Sequence, residues 1–233
     1  MAYEAIKYLF SLGFSLKYII LENPEYCYGT PVNDNDTDIY QLIAKKDKNI
    51  NDIDLVVSFL YWKKIKKPLI DLAKFGCVNF HPAPLPDYKG RAGYNTAILD
   101  GKKYFGVSAH YIDSEQLDTG PIIKVNNFPI NINENAHSLE KKTQEKLFDL
   151  FKEIMGQFLF IDRFKTQPNK IGVYLSKNQL EKLKKVNLKT ENINDKIRAF
   201  FFPPYTGAYV VVKGKKFTLI DDEILTYINS KLK

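Results

Sequence analysis

The sequence predicts an α/β fold: a sheet with flanking helices, followed by a small C-terminal appendage of helix and β-hairpin. Three observations support this prediction. Short apolar runs alternate with segments of helical periodicity in the first part of the chain. One of these runs is apolar almost throughout. After about residue 165 the sequence pattern changes. We therefore divide the chain into a main domain, 1–165, and a C-terminal region, 166–233.

The main domain begins as an alternation of helices and strands. Apolar positions at helical spacing predict a helix over residues 3–12, which Gly13 ends. The run at 54–60 is typical of a buried strand in a parallel sheet covered on both faces. The other elements predicted up to residue 80 are, in order, a strand at 16–21, a loop rich in Pro, Gly, Asn and Asp at 23–38, a short helix at 40–45, a helix at 65–74 and a strand at 76–80.

The remaining elements include one long helix and one hairpin. Residues 136–160 carry an apolar stripe at helical spacing, which predicts a helix packed on the core. The segment 209–220 predicts a β-hairpin with a glycine in its turn. The other elements are a helix at 93–99, strands at 107–112 and 121–125, and short helices at 176–186 and 194–201. Because a domain of this type normally opens with a strand, either this fold starts differently or Met1 is internal to a longer chain.

Composition and charge exclude several classes of protein. Hydrophobic residues make up 45% and charged residues 26%, as in an ordinary soluble protein. No apolar run approaches the roughly 18–20 residues that span a membrane, and the N-terminus lacks the pattern of a signal peptide. We therefore expect a cytoplasmic protein with no membrane partner. The net charge, 34 − 27 = +7, favours anionic partners such as RNA, a nucleotide-linked substrate or polyglutamylated folate, or serves only solubility.

The cysteines and histidines give no sign of a disulfide framework or a metal centre. Cys27 and Cys77 are too few for a framework in a chain of 233 residues. Cys77 lies in an apolar run, which predicts a buried and inert thiol. The three histidines show no zinc spacing with cysteines or acids, so we predict no metal site.

The densest polar cluster follows the predicted strand 76–80. Asn79 and His81 are two residues apart, so both side chains point to one face of an extended chain. Three prolines, at 82, 84 and 86, then hold the chain in a stiff path. Because ligands bind outside the carboxyl ends of strands in open α/β sheets, this pattern predicts a functional site here.

A downstream acid completes the candidate site. Asp118 lies in the turn 114–120, between two predicted strands. A histidine with a distant aspartate, and no activated Ser or Cys, favours a general base with an orienting carboxylate. The amide of Asn79 is suited to hold a developing oxyanion. The alternatives are that His81 is an ordinary satisfied polar residue and that Asp118 is a turn residue, since Asp-Thr-Gly is common turn chemistry.

These motifs resemble the N10-formyltetrahydrofolate-dependent formyltransferases, which include methionyl-tRNA, glycinamide ribonucleotide and sugar-nucleotide enzymes. That family carries N-x-H-P-x-x-L-P-x-x-x-G and a later D-[TA]-G, matched here by Asn79, His81 and Asp118. The resemblance implies a Rossmann-like formyltransferase sheet, N10-formyltetrahydrofolate as formyl donor, an amine as acceptor, and these three residues as catalytic. The loop from Asp113 to Asp118 is one residue longer than the usual D-E-G-[IL]-D spacing.

Several details resemble the sugar-nucleotide branch. They are F-H-P-A-P-L-P-D-Y at 80–88, H-Y-I-D at 110–113, S-F-L-Y-W at 58–62 and I-R-A-F-F-F-P-P-Y at 197–205. The resemblance implies dTDP-4-amino-4,6-dideoxyglucose as acceptor, with the 3-amino isomer second, and a product used in surface polysaccharide (O-antigen) synthesis. It also implies a homodimer formed through the C-terminal hairpin.

The resemblance further implies binding residues. The folate donor is expected to contact Leu60, Tyr61, Trp62 and Asp113, although Trp62 is equally well explained as core packing. The nucleotide-linked sugar is expected to contact Lys89, Arg91, Arg198 and Tyr205; solvent-facing or structural roles are the alternative for each. Two rival functions remain. One is a methionyl-tRNA formyltransferase-like enzyme, although nucleic acid is not the expected partner, and the other is a non-catalytic folate- or nucleotide-binding module.

Overall fold

A computed structural model describes residues 1–21, 32–33, 36–46, 50, 52–61, 63–91, 93–170 and 172–231. The helices are α1 (Ala2–Ser11), α2 (Asp36–Ala44), α3 (Lys67–Ile70), α4 (Gly93–Leu99), α5 (Ala136–Gln157), α6 (Lys177–Leu183), α7 (Ile193–Phe200) and α8 (Asp222–Lys231). The strands are β1 (Ile19–Ile20), β2 (Val32–Asn33), β3 (Val56–Phe59), β4 (Cys77–His81), β5 (Tyr88–Gly90), β6 (Tyr104–Ile112), β7 (Ile122–Pro129), β8 (Val173–Leu175), β9 (Tyr209–Val212) and β10 (Lys215–Thr218). None of the helices in these ranges is long and apolar enough to span a membrane.

The central sheet has the strand order β3-β4-β6-β7. Strand β3 runs parallel to β4, whereas β6 is antiparallel to both of its neighbours, β4 and β7. Two short parallel pairs, β1 with β2 and β5 with β8, lie outside this sheet. The predicted α/β fold with flanking helices is confirmed. The sheet is mixed because β6 returns against β4 and the turn after it leads directly into β7.

Helix α5 covers the core side of the sheet. It begins with a capping box in which the Asn135 side chain accepts from the Ser138 amide. Its apolar stripe is buried, and the Phe151 ring lies 4.9 Å from Phe59 and 5.0 Å from Phe80. Each such side chain contributes about 1.5–3 kcal/mol on burial. This packing fixes β3 and β4, the two strands that lead to the candidate site.

The C-terminal region packs on the same core. Ala199 and Phe200 of α7 and Val210 of β9 belong to the hydrophobic cluster that contains the buried face of α5. The predicted hairpin is present, and its turn residues Lys213 and Gly214 both have positive φ, 47° and 78°, as a type I′ turn requires. The division of the chain at residue 165 stays a prediction, because side chains from both parts share one core.

Most predicted elements are found, with changes in length. The helices predicted at 3–12, 93–99 and 136–160 are present as α1, α4 and α5. Most of the predicted loop 23–38, including Cys27, lies outside the described residues, and α2 begins within it, at Asp36. The helix predicted at 65–74 is only the short α3. Strands β2, β5 and β8 were not predicted, since strands of two or three residues carry no periodicity. The helix α8 was also not predicted.

Candidate active site

The site lies at the carboxyl end of β4. Asn79 and His81 share one face of this strand, and Asn79 is the register partner of His110 on β6, so all three side chains lie on that face. Strand β3 ends alongside, with Ser58 paired to Asn79. The carboxyl ends of the two parallel strands therefore meet at the edge where the sequence predicted a site.

His81 is held in one tautomer by the backbone. Its Nε2 lies 2.8 Å from the carbonyl oxygen of Tyr88. Because a carbonyl oxygen only accepts, Nε2 carries the proton and Nδ1 carries the lone pair in the neutral ring. Asp118 Oδ1 lies 3.4 Å from Nδ1. A proton taken up at Nδ1 would therefore be stabilised at once by the carboxylate.

Hydrogen bonds hold both the side chain and the backbone of Asp118. Its φ is 55°, in the left-handed region that non-glycine residues seldom adopt. Its Oδ2 accepts a hydrogen bond of 2.8 Å from the Gly90 amide of β5. The amide nitrogen of Asn169 donates to the carbonyl oxygens of Asp118 and Gly120, each at 2.9 Å. The predicted pairing of His81 with Asp118 is thus present in the structure.

Burial and charge place the two groups in complementary protonation states. Burial lowers the pKa of His81 below its ordinary value, while the Asp118 carboxylate and the Tyr88 carbonyl act in the opposite direction. Burial by itself would raise the pKa of Asp118, but its interactions with His110 and His81 and the hydrogen bond from the Gly90 amide outweigh it and lower that pKa. At neutral pH the imidazole is therefore uncharged and the carboxylate ionised, as a general base and its partner require.

His110 is a member of the site to which the sequence assigned no role. Its Nδ1 donates to the Tyr111 carbonyl oxygen at 2.8 Å, so its Nε2 accepts from Asn79 Nδ2 at 3.0 Å. Its Nε2 also lies 3.6 Å from Asp118 Oδ1. One N–H of the Asn79 amide is thereby occupied, and the second remains for a bound group. The only sequence signal was the H-Y-I-D segment, noted as a resemblance.

The residues predicted to contact folate are only partly described. Leu60 and Tyr61 follow the end of β3. Leu60 has a φ of 55°, so the chain turns there, next to the position of His81 on the neighbouring strand. Trp62 lies outside the described residues. Asp113 is exposed just after β6. Glu115 joins the loop of Asp113 to the segment after β3, because its carboxylate accepts from the Lys67 amide at 3.1 Å and pairs with Lys64 at 3.1 Å. Folate contact by these residues stays a prediction.

The residues predicted to bind the sugar nucleotide lie in two places. Lys89 and Arg91 flank Gly90, next to Asp118; Arg91 is exposed, but Lys89 is buried and its Nζ donates to the Lys170 carbonyl oxygen at 2.8 Å. Arg198 lies on α7, where its Nε donates to the Glu134 carbonyl oxygen at 3.2 Å. Tyr205 is 70% exposed. Contact with a nucleotide stays a prediction for all four residues.

Two other chemistries have little support in the described part of the chain. There, no group of three His, Cys, Asp or Glu side chains is arranged to hold a metal ion. Cys77 is buried in β4, and this burial raises the pKa of its thiol to about 12. A thiol with that pKa is protonated and unreactive at neutral pH.

Comparison with known proteins assigns a family. The family described as "Formyl transferase" matches residues 33–154. Methionyl-tRNA formyltransferase of Clostridium tetani is 31% identical over 176 residues, which are 74% of this chain and 55% of that protein. The chain thus spans little more than half the length of the curated relatives it matches.

Solved structures add the fold. A 4-N formyltransferase from Francisella tularensis has a TM-score of 0.71 at 22% identity, over 88% of this chain and 84% of that one. The structure of WlaRD, described as a sugar 3N-formyl transferase in the presence of dTDP and 5-N-formyl-THF, has a TM-score of 0.59 at 28% identity. That likeness covers 72% of this chain and 61% of WlaRD.

Proposed function

Because this chain belongs to the formyl transferase family, as its sequence motifs predicted, we propose that it transfers a formyl group from N10-formyltetrahydrofolate to a primary amine. One observation carries the proposal. A lone pair on His81 Nδ1, the Asp118 carboxylate and a free N–H of Asn79 converge on one face of the sheet. A base, its charge partner and an oxyanion donor are what acyl transfer to an amine needs.

Each residue has one task in this reaction. The donor supplies an electrophilic formyl carbon to the amine. His81 takes a proton from the attacking amine at Nδ1, directly or through a water molecule. Asp118 stabilises the imidazolium that results and is placed to help return a proton to the departing folate nitrogen. The second N–H of Asn79 stabilises the developing oxyanion. The base is worth roughly 10²–10⁴ in rate and the oxyanion donor roughly 10²–10³.

The acceptor that we propose is a nucleotide-linked amino sugar, with dTDP-4-amino-4,6-dideoxyglucose first and the 3-amino isomer second. Two comparisons support it: the neighbour named as a 4-N formyltransferase is covered over 84% of its length, and WlaRD was crystallised with dTDP. The motifs at 80–88 and 197–205 agree with this branch. The enzyme would then work in the cytoplasm and supply a sugar for surface polysaccharide (O-antigen) synthesis.

A tRNA acceptor is the second candidate. Curated relatives that match the sequence include methionyl-tRNA formyltransferases, and the net charge of +7 suits a polyanion. This chain covers only 55% of such a relative, however. A tRNA enzyme would bind initiator tRNA with an affinity that falls steeply as salt rises.

We also propose that the chain forms a homodimer through its hairpin. Strands β9 and β10 form a two-stranded sheet; β9 meets the rest of the described chain by backbone bonds at Tyr209, beside Lys185, and β10 pairs with β9 alone among the described strands. Their exposed apolar side chains are Val211, Val212 and Phe217, each about half exposed. A half-exposed apolar hairpin with an open edge is the kind of surface that a second copy covers.

Mass spectrometry of the reaction products tests the proposal. The protein is incubated with N10-formyltetrahydrofolate and, in separate reactions, the 4-amino and 3-amino dTDP-sugars, a UDP-linked amino sugar and methionyl initiator tRNA. We expect one formyl group to be added to the 4-amino sugar. His81→Ala and Asn79→Ala should abolish or strongly reduce product, whereas Asn131→Ala, on an exposed loop, is the matched control and should not.

The other outcomes are equally informative. Product only with tRNA would replace the sugar with the second candidate. No product with any acceptor, from a folded protein that still binds folate, would favour the non-catalytic binding module and refute the transfer reaction.

A further inference from the structure

A segment outside the motifs crosses the site. We call the described residues 167–170 and 172–175, which lie between the long helix and α6 in the chain, the strap. The strap starts on β7, where the backbone of Gln167 exchanges two hydrogen bonds, of 2.9 and 2.7 Å, with that of Ile122. It ends as β8, which pairs with β5. The strap therefore runs from β7, which follows the loop of Asp118, to β5, whose Gly90 amide binds the Asp118 carboxylate.

Asn169 is the strap residue that meets the catalytic loop. Its Nδ2 donates to the carbonyl oxygens of Asp118 and Gly120, on either side of Thr119. Both partners only accept, so the position requires two N–H donors on one short side chain. A left-handed φ at a non-glycine residue is strained and persists only where its surroundings hold it. Asn169 supplies such a restraint to the left-handed Asp118.

The other end of the strap holds the second restraint. Gly90, whose amide binds Asp118 Oδ2, is paired in register with Leu175 of the strap. The Lys89 side chain reaches back to the Lys170 carbonyl oxygen at 2.8 Å. The contact is close enough that a Cβ on Gly172 would lie 1.6 Å from the Pro86 carbonyl oxygen. Glycine at 172 is therefore needed for the strap to dock.

We propose that Asn169 is a positioning residue, which holds the Asp118 carboxylate within reach of His81 by fixing the backbone on both sides of Thr119. The inference rests on the proposed function, because it gives Asp118 a task only if His81 is the base. Without Asn169 the loop is free to leave its left-handed conformation, and the carboxylate moves away from the imidazole. The strap would then act on the chemistry without touching either substrate.

Because Asp118 is charged, displacing its carboxylate changes the pKa of His81. A purely structural role of Asn169 would leave this pKa unchanged. Groups facing the His81 ring are Asp118 and His110, with the Tyr88 carbonyl on Nε2. Asp118 is the group among them that favours the charged imidazole by its own charge. When the carboxylate moves away, the pKa of His81 falls. Because His81 must be unprotonated to act, the acid limb of kcat/KM then moves to lower pH.

The test is the pKa of His81, measured by NMR titration of the ring Cε1–H in the full chain. The variants are Asn169→Leu, which removes both donors, and Gln167→Leu, a matched control whose side chain is exposed and takes no part in the backbone hydrogen bonds of the strap. Asp118→Asn is the reference for complete loss of the carboxylate. We expect Asn169→Leu to lower the pKa towards that of Asp118→Asn, and Gln167→Leu to leave it unchanged. In the transfer assay, kcat of Asn169→Leu should fall about 10- to 100-fold, as for a misplaced catalytic group.

Two results separate failure of this inference from failure of the proposed function. A His81 pKa unchanged in Asn169→Leu but lowered in Asp118→Asn would overturn the positioning role and leave the site intact. A pKa unchanged even in Asp118→Asn would overturn the pairing of His81 with Asp118 itself. Circular dichroism checks that each variant is folded; should Asn169→Leu not fold, Asn169→Ser, which keeps a small polar side chain, takes its place in the same comparison.

Discussion

Replacing His110 with methionine tests how the oxyanion donor is oriented. In the structure, His110 Nδ1 donates to the Tyr111 carbonyl oxygen, and its Nε2 accepts from Asn79 Nδ2 at 3.0 Å. An acceptor at this position fixes which end of the Asn79 amide faces it. Methionine fills the space with a thioether, which is only a weak acceptor. The amide of Asn79 then loses the contact that selects its orientation.

The expected loss follows from the strength of one hydrogen bond. A net contribution of about 0.5–1.5 kcal/mol corresponds to a preference of roughly 2- to 13-fold for the observed amide orientation. Removing an oxyanion donor entirely costs roughly 10²–10³ in kcat. Without this preference about half of the Asn79 amides still present an N–H to the oxyanion, so we expect His110→Met to lower kcat by about twofold, far less than Asn79→Ala. His110→Gln, which can present an amide oxygen to Asn79, should retain most of the activity.

Steady-state kinetics of formyl transfer to the acceptor found in the product screen measure this effect. Because His110 acts through Asn79, adding His110→Met to Asn79→Ala should cost little more than Asn79→Ala alone. Full additivity of the two losses would refute the reasoning. So would a His110→Gln variant as slow as His110→Met, since the acceptor would then have no importance.

Three further predictions concern other parts of the molecule. Asp118→Asn should reduce kcat and move the acid limb of the pH–rate profile to lower pH, since the carboxylate raises the pKa of His81. Gly120→Ala should lower the free energy of unfolding in urea by about 1–3 kcal/mol, because its Cβ would lie 1.9 Å from the Tyr111 carbonyl oxygen. Phe217→Asp, on the half-exposed hairpin, should convert a dimer to monomer in sedimentation.

Each of these has a contradicting outcome. An acid limb that moves to higher pH in Asp118→Asn would show that the carboxylate does not favour the imidazolium. Unchanged stability in Gly120→Ala would show that the loop yields at no cost. Asn194→Asp introduces the same charge as Phe217→Asp at an exposed position on α7, and equal dissociation in both would remove the hairpin as the interface.

The part of the site that lies on one strand could be predicted from the sequence. Asn79 and His81 are two residues apart in an extended segment, so their common face follows from the period of a strand alone. The position of that strand in the sheet follows from the apolar run at 54–60, which is its parallel neighbour β3. Asp118 is different: its pairing with His81 was inferred from a motif, and nothing in the turn chemistry of Asp-Thr-Gly required it.

The rest of the site depends on contacts between distant segments. His110 meets Asn79 because of the register of β4 with β6, and a one-residue shift would place its ring on the opposite face. Asn169 lies 51 residues after Asp118, in a stretch without helical or strand periodicity. The left-handed φ of Asp118 has only a weak signal in the sequence, since aspartate tolerates this region better than most residues but adopts it far less readily than glycine.

These contacts cannot be predicted from residue types because their acceptors are backbone carbonyl groups. The His81 ring is oriented by the carbonyl of Tyr88 and the His110 ring by that of Tyr111. The Asn169 amide likewise binds two carbonyl oxygens, not side chains. Every residue has a carbonyl group, so no residue type marks the acceptor. The protonation of His81 and the direction of the Asn79 amide therefore depend on where the backbone lies. The glycines at 120 and 172, where a Cβ would meet a backbone carbonyl oxygen, allow the close approach of the segments that form the site.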